Sequence, residues 1–315
     1  MNVSFIATIY NEESTIYKLL NSLLDQSKIP DEIIIVDGGS TDGTLRIVKD
    51  YLSNIKNKNI KSKIIVKKGN RAVGRNVAII NATNEIIVCS DAGCVLGKNW
   101  IKNIVEPFSD PQIDVVAGYY KGKPKNIFQK CLIPYVLVME DKINPNNFLP
   151  ATRSMAFKKA IWKKIGGFDK RLSNNEDYAF AHELVKVGAK IVFARSAVVY
   201  WKPRKTFKEA FIMFFRFAFG DAEAKIWRTS IILLFSRYFF GLFIITLSFL
   251  YTSFFFVAFF LLLIVFYLGW SIKKNYHYVS NKKAIFILPS LQLMSDIAVL
   301  TGTVFGSIKT LTRFK

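Results

Sequence analysis

Across residues 229–270 the only charged side chain is Arg237. As one helix this stretch of 42 residues would be ~63 Å long at a rise of ~1.5 Å per residue. The hydrocarbon core of a bilayer is only about 30 Å thick. One span is therefore too short to hold it. Two spans, about 229–250 and 253–270, fit, and a buried helical hairpin in a soluble protein is the alternative. A third apolar segment, 284–308, contains Pro289 and Asp296 and is followed by Lys309, Arg313 and Lys315. It reads as a third membrane-embedded helix of unspecified depth, with a re-entrant or in-plane segment as the alternative.

The net charge of +21 is spread unevenly. Residues 231–315 hold eight Lys or Arg against one acid, Asp296, a balance of +7, so +14 falls on the first 230 residues. A basic face beside a membrane anchor suits membrane lipids with anionic headgroups and substrates that carry phosphate. No helix-turn-helix pattern, zinc-ligand set or aromatic RNA-binding motif is present, so nucleic acid is not expected as a partner. Positive charge also sets topology. The turn at 251–253 is uncharged, whereas the following loop, read as 271–283, has four Lys. That places the loop and the N-terminal domain together on the cytoplasmic side of the cell membrane.

Ahead of the tail, apolar runs of strand length alternate with helical patterns. Strands are expected at 3–8, 33–36, 63–67, 85–89, 115–118 and 191–193. Helices are expected at 12–26, 44–53, 77–82 (continuing an earlier start), 96–108, 127–139, 158–165 and 177–187. This alternation predicts an α/β domain over 1–205 with a mostly parallel, Rossmann-like sheet. Residues 206–228 read as an amphipathic helix lying at the membrane interface or as a core helix of the domain, and 229–315 as the transmembrane region. The N-terminal apolar run, 3–9, is too short for a signal peptide and lacks a basic region before it. Cys89, Cys94 and Cys131 form no C-x-x-C pair, which fits a reduced compartment.

Five polar clusters sit where strands end or helices begin. Thr8, Tyr10 and Glu12 follow the first strand; the ring can stack on a base and the polar groups can hydrogen-bond it. Asp37 ends the second strand in Asp37-Gly38-Gly39-Ser40-Thr41-Asp42-Gly43-Thr44, where ligands bind in α/β sheets. Its carboxylate can accept from ribose hydroxyls or a base N–H. Arg71 and Arg75 open a helix and suit a diphosphate. Asp91, in Ser90-Asp91-Ala92-Gly93-Cys94, can hold Mg²⁺ or Mn²⁺ with diphosphate oxygens and water filling the other positions. Glu176 and Asp177 follow Asn174-Asn175 at a helix start, where carboxylates also complement the helix dipole; one of them is a candidate general base. Arg153, with Ser154 and Met155, reads as lying toward the acceptor.

Together these stretches (3–13, 33–44, 74–91 and 176–177) resemble, in order and spacing, the inverting glycosyltransferases of family 2, which have the GT-A fold. The resemblance covers about 1–205. It implies that Thr8, Tyr10, Glu12 and Asp37 bind the nucleotide of a nucleotide-sugar donor. It also places Arg75 near the diphosphate, makes Asp91 the metal-binding residue, and makes Asp177 the base that deprotonates the acceptor hydroxyl. Glu176 and Arg153 become possible acceptor or diphosphate contacts. So does Arg216, in Arg216-Phe217-Ala218-Phe219-Gly220-Asp221, which resembles a late Arg–Gly–Asp motif. The membrane tail resembles that of members using lipid-linked acceptors. Two departures stand out. Asp91-Ala92-Gly93 replaces D-x-D, which predicts weak metal holding through a single Asp, and the Q-x-x-R-W motif of processive synthases is absent. Transfer with inversion to a hydroxyl on a lipid-linked glycan is the expected reaction. Loading of a sugar onto a polyprenyl phosphate, and a catalytically silent membrane scaffold, are the alternatives.

Overall fold

A computed structural model describes residues 1–54, 60–251 and 254–312. Two positions of the uncharged turn, Thr252 and Ser253, and two terminal charges, Arg313 and Lys315, lie outside the described residues. The chain forms two compact units: Met1–Lys123 with Val138–Lys202, and Pro124–Leu137 with Pro203–Lys315.

The first unit is built on an eight-stranded sheet of order β3-β2-β1-β4-β7-β6-β8-β5. Strands β1 (Val3–Ile9), β2 (Glu32–Asp37), β3 (Lys61–Val66) and β4 (Ile86–Cys89) are parallel. β7 (Met155–Lys158) runs antiparallel between β4 and β6 (Val115–Gly122). β8 (Ile191–Trp201) runs parallel to β6, and β5 (Cys94–Leu96) pairs antiparallel at the edge. The sheet is thus mostly parallel, as expected. β2 and β4 are buried along their whole length, and their unbroken Ile/Val runs reflect coverage on both faces. Ile34, Ile87, Phe157, Phe168, Phe180 and Leu184 share one core cluster. Helices α1 (Ile16–Leu24), α2 (Thr44–Asn54), α3 (Arg71–Asn81), α4 (Trp100–Val105), α6 (Lys159–Lys164) and α7 (Glu176–Lys186) belong to this unit.

Several expected boundaries move. The first helix begins at Ile16 instead of residue 12, because Asn11 takes a left-handed φ of 53° and the segment before the helix is tied elsewhere. Residues 96–108 divide into the end of β5, α4 and a 3₁₀ turn at Glu106–Ser109 containing Pro107. β8 continues from the expected 191–193 to Trp201, through the polar pair Arg195-Ser196.

The second unit is helical: α5 (Ile127–Val136), α8 (Phe207–Glu223), α9 (Thr229–Leu250), α10 (Phe254–Val279) and α11 (Ala284–Thr312). The last three, of 22, 26 and 29 residues, are long and apolar enough to cross a membrane. The loop expected at 271–283 is largely helix, since α10 carries Lys273 and Lys274 in its final turns. Against α11, α8 packs in parallel. A Cβ at Gly302 would lie 2.4 Å from the carbonyl oxygen of Phe215, and one at Gly306 would lie 2.5 Å from that of Phe219. These are the close backbone approaches that G-x-x-x-G spacing permits. At the end of this seam Lys309 pairs with Glu223 at 2.9 Å.

Candidate active site

Parallel strands β2, β1 and β4 end at the same edge of the sheet, which brings Asp37, Tyr10 and Asp91 to one side. The loops after β1 and β2 are stitched together. The Asn11 N–H donates to Ser40 Oγ (2.9 Å), the Thr41 N–H donates to Asn11 Oδ1 (2.9 Å), and the Glu12 N–H donates to Thr44 Oγ1 (2.8 Å). Asp42 caps α2 by accepting from the Thr44 N–H at 3.0 Å. These polar residues therefore build the loop, and the Glu12 carboxylate accepts from the Thr15 hydroxyl.

Asp37 is fully buried. Its Oδ1 accepts from the Gly39 and Ser40 N–H groups, each at 2.7 Å, while its Oδ2 has no hydrogen-bond partner. A buried carboxylate oxygen without a donor is costly, and a ribose hydroxyl or base N–H would satisfy it. The Tyr10 ring is 60% exposed beside this point and lies against Gly38. Thr8 turns its methyl toward α3, where only glycine fits: a Cβ on Gly74 would stand 2.7 Å from Thr8 Cγ2.

The second half of the site surrounds Arg75. This residue is only 4% exposed. Its guanidinium donates to Asp91 Oδ1 at 3.0 Å and to Glu176, itself 3% exposed. Both are thus set beneath the surface, with the Arg75 guanidinium held between Asp91 and Glu176. Two other cations keep more open faces. Arg71 is 3.5 Å from Glu176, and Arg153 Nε is 4.0 Å from Asp91 Oδ2. Arg153 is flanked by the rings of Trp201 and Tyr120, 5.3 and 5.5 Å from its guanidinium carbon. Asp177 is joined to Asp91 by a residue that carried no signal in the sequence, Thr152. Its hydroxyl lies 3.2 Å from Asp91 Oδ1 and 3.3 Å from Asp177 Oδ2. Asn70 and Asn76 hold the frame: Asn70 caps α3 and donates to the Lys170 and Leu172 carbonyls, while Asn76 brackets Phe168.

The charges separate the carboxyls. Burial works to raise Asp91, but Arg75, Arg153 and Arg71 outweigh it and hold the group below the ordinary carboxylate range. Glu176 is likewise held low against burial by Arg75 and Arg71. Asp177 is raised, first by desolvation and then by the negative charge of Glu176, with Arg75 opposing. Burial pushes the Cys94 thiol up to about 12 and raises Cys89 as well, so neither is a thiolate nucleophile. For a divalent ion the donors are sparse. No group of three or more His, Cys, Asp or Glu side chains is placed to hold one among the described residues. Asp91 fits such an ion as a single point of attachment, through Oδ2. Arg216 lies in the second unit, exposed on α8.

The glycosyl transferase family 2 profile matches residues 4–164. Among curated relatives, the O-antigen chain rhamnosyltransferase RfbN of Salmonella typhimurium is 26% identical over 68% of this chain and 71% of its own. Glycosyltransferase AglE of Haloferax volcanii is 24% identical over 71% and 74%. The poly(ribitol-phosphate) β-N-acetylglucosaminyltransferase TarS of Staphylococcus aureus is 31% identical over 45% of this chain but only 26% of its own. Among solved structures, the mannosyltransferase PcManGT of Pyrobaculum calidifontis, in complex with GDP-Man and Mn²⁺, has a TM-score of 0.68 at 18% identity. That likeness covers 95% of this chain and 87% of the other, and it establishes the fold. With more than half its length matched by the family profile, the chain belongs to glycosyl transferase family 2 and is a glycosyltransferase of GT-A fold.

Proposed function

We propose that the protein transfers a sugar from a nucleotide-sugar donor to a hydroxyl of a lipid-linked or membrane-associated glycan, with inversion. The observation that carries this reading is the single Thr152 hydroxyl shared by Asp91 and Asp177. It joins a carboxylate held ionised among arginines to one whose affinity for a proton is raised. Asp177 takes the proton from the acceptor hydroxyl. The oxygen forms a bond to the anomeric carbon on the face opposite the leaving group. The bond from that carbon to the diphosphate oxygen breaks, and the nucleoside diphosphate leaves with the electron pair. Arg71 and Arg153 stabilise charge on the leaving group, and Arg75 and Glu176 keep Asp91 in place. Asp37 Oδ2 and the Tyr10 ring receive the nucleoside. Mg²⁺ or Mn²⁺ would be held by Asp91 and would add neutralisation of the diphosphate.

The acceptor class is supported by relatives named for O-antigen and poly(ribitol-phosphate) transfer and by the three apolar helices. Residence in the cell membrane with a cytoplasmic catalytic unit is supported by Lys273 and Lys274 in the final turns of the second of those helices and by Lys282 and Lys283 in the loop before the third. The test is nucleoside diphosphate release from a panel of sugar nucleotides with native lipid extract present. Asp177→Asn is expected to abolish release while donor binding persists. Full turnover in that variant overturns the base assignment and favours a phosphate acceptor, which needs no base.

A further inference from the structure

The second unit holds an open-sided cavity of about 570 Å³ to which all five of its helices contribute. That volume is in the range of small-molecule sites. Its polar end is centred on Asp296 of α11. Oδ2 accepts from Arg237 Nη2 (3.1 Å), the Tyr238 hydroxyl (3.0 Å) and the Tyr267 hydroxyl, and Oδ1 accepts from Gln292 Nε2 (2.9 Å). Asp296 is therefore satisfied. Its two principal partners are not: Arg237 Nε and Gln292 Oε1 are buried and have no hydrogen-bond partner, and Gln292 is only 6% exposed. A polar knot serving packing alone would close on itself, whereas this one leaves a buried donor and a buried acceptor on residues that line the cavity. An ionisable pair inside apolar helices marks a functional site by default.

The charge of the lining selects the occupant. Arg228 is paired with Asp221 at 2.7 Å and Arg237 with Asp296 at 3.1 Å, which leaves Lys274 as the excess positive charge of the lining. Lys274 also lies over the Trp270 ring at 4.8 Å, and the remaining wall is apolar, with Leu233, Leu234 and Val299. Guanidiniums at one end and aliphatic groups at the other match an anionic head on a hydrocarbon chain. We propose that this cavity binds the phosphate end of the lipid that carries the acceptor, through Arg237 Nε and Lys274. The identity of that lipid rests on the proposed function above; the presence of a lipid-phosphate site does not.

The test is binding of a polyprenyl diphosphate to the full-length protein in nanodiscs, with phosphatidylglycerol and inorganic pyrophosphate as competitors. Lys274→Gln, which leaves the Asp296 network intact, and Arg237→Gln are each expected to raise Kd at least tenfold. Melting temperature and donor binding check that the variants are folded. Neither competitor is expected to displace the probe at equal concentration. Unchanged Kd in a folded Lys274→Gln protein overturns the proposal. Equal displacement by phosphatidylglycerol assigns the cavity to bulk lipid and overturns it, and displacement by pyrophosphate does so for a lipid site. A protein that binds the carrier here yet glycosylates no lipid-linked acceptor overturns the acceptor reading and leaves the lipid site standing.

Discussion

Glu176 and Asp177 are adjacent in the chain, yet their carboxyls are driven in opposite directions: Glu176 is held low beside Arg75 and Arg71, and Asp177 is raised by desolvation and by Glu176 itself. This divergence has a kinetic signature. A base acts only when ionised, so kcat/KM should fall, as pH drops, at a pH above the range of an ordinary carboxyl. Glu176→Gln removes one of the charges that raise Asp177 and leaves Arg75 less neutralised. Both changes favour the Asp177 anion, so the acid limb should move to lower pH. A pH–rate profile of the two proteins checks the sign; an unmoved limb, or one moved upward, removes Asp177 from the base role.

The Thr152 hydroxyl has one proton and two carboxylates within reach, so it donates to one and fixes the distance to the other. Thr152→Val keeps the shape and deletes the hydroxyl. The loss of one charge-assisted bond, about 1.5–3 kcal/mol, corresponds to roughly a ten- to hundredfold fall in kcat/KM. Thr152→Ser should restore most of it. Equal losses in both variants would point to the methyl and to packing.

The residues that were legible in the sequence are those where an apolar run meets a polar turn. Asp37 directly follows a run of four Ile or Val residues and Asp91 lies one residue beyond a run of four Ile, Val or Cys, and this local contrast is what marks a strand end. Arg75 is marked by its place at a helix start, but its burial against Glu176 depends on α7, 101 residues later, and no local pattern encodes it. Thr152 is 61 and 25 residues from its two partners and sits in an undistinguished loop before a four-residue strand. Residues 12–15 read as the start of α1, while the contacts that hold this segment out of the helix come from Ser40 and Thr44. Lys273 and Lys274 read as loop by charge, yet they continue α10 with Lys274 over Trp270. In each case a long-range contact overrides local preference.

Gly93 occupies the position where D-x-D would place its second carboxylate. A Cβ there meets nothing within 4 Å, and its φ is not in the left-handed region. Gly93→Asp should therefore fold without strain. A second carboxylate near Asp91 would strengthen divalent-ion binding, by about tenfold or more on ligand charge alone. Calorimetric Mn²⁺ titration of the two proteins, with nucleoside diphosphate present, measures this. Equal affinity would mean that Asp91 is not the point of attachment.

The α8–α11 seam gives the last prediction. At Gly302 and Gly306 a Cβ would meet backbone carbonyl oxygens at 2.4 and 2.5 Å. Backbone atoms cannot rotate away, so relief requires the helices to separate. Alanine gains up to about 1 kcal/mol over glycine in helix propensity, but overpacking costs about 1–3 kcal/mol. Separating the helices would also strain the Lys309–Glu223 pair, whose carboxylate is buried. The clash should therefore win, and Gly302→Ala and Gly306→Ala should each lower the melting temperature in detergent. Gly269, on α10, has open space where its Cβ would be. Gly269→Ala should be neutral or slightly stabilising. If all three substitutions behave alike, propensity and not close approach governs these positions, and α8 is not held to α11 by its glycines.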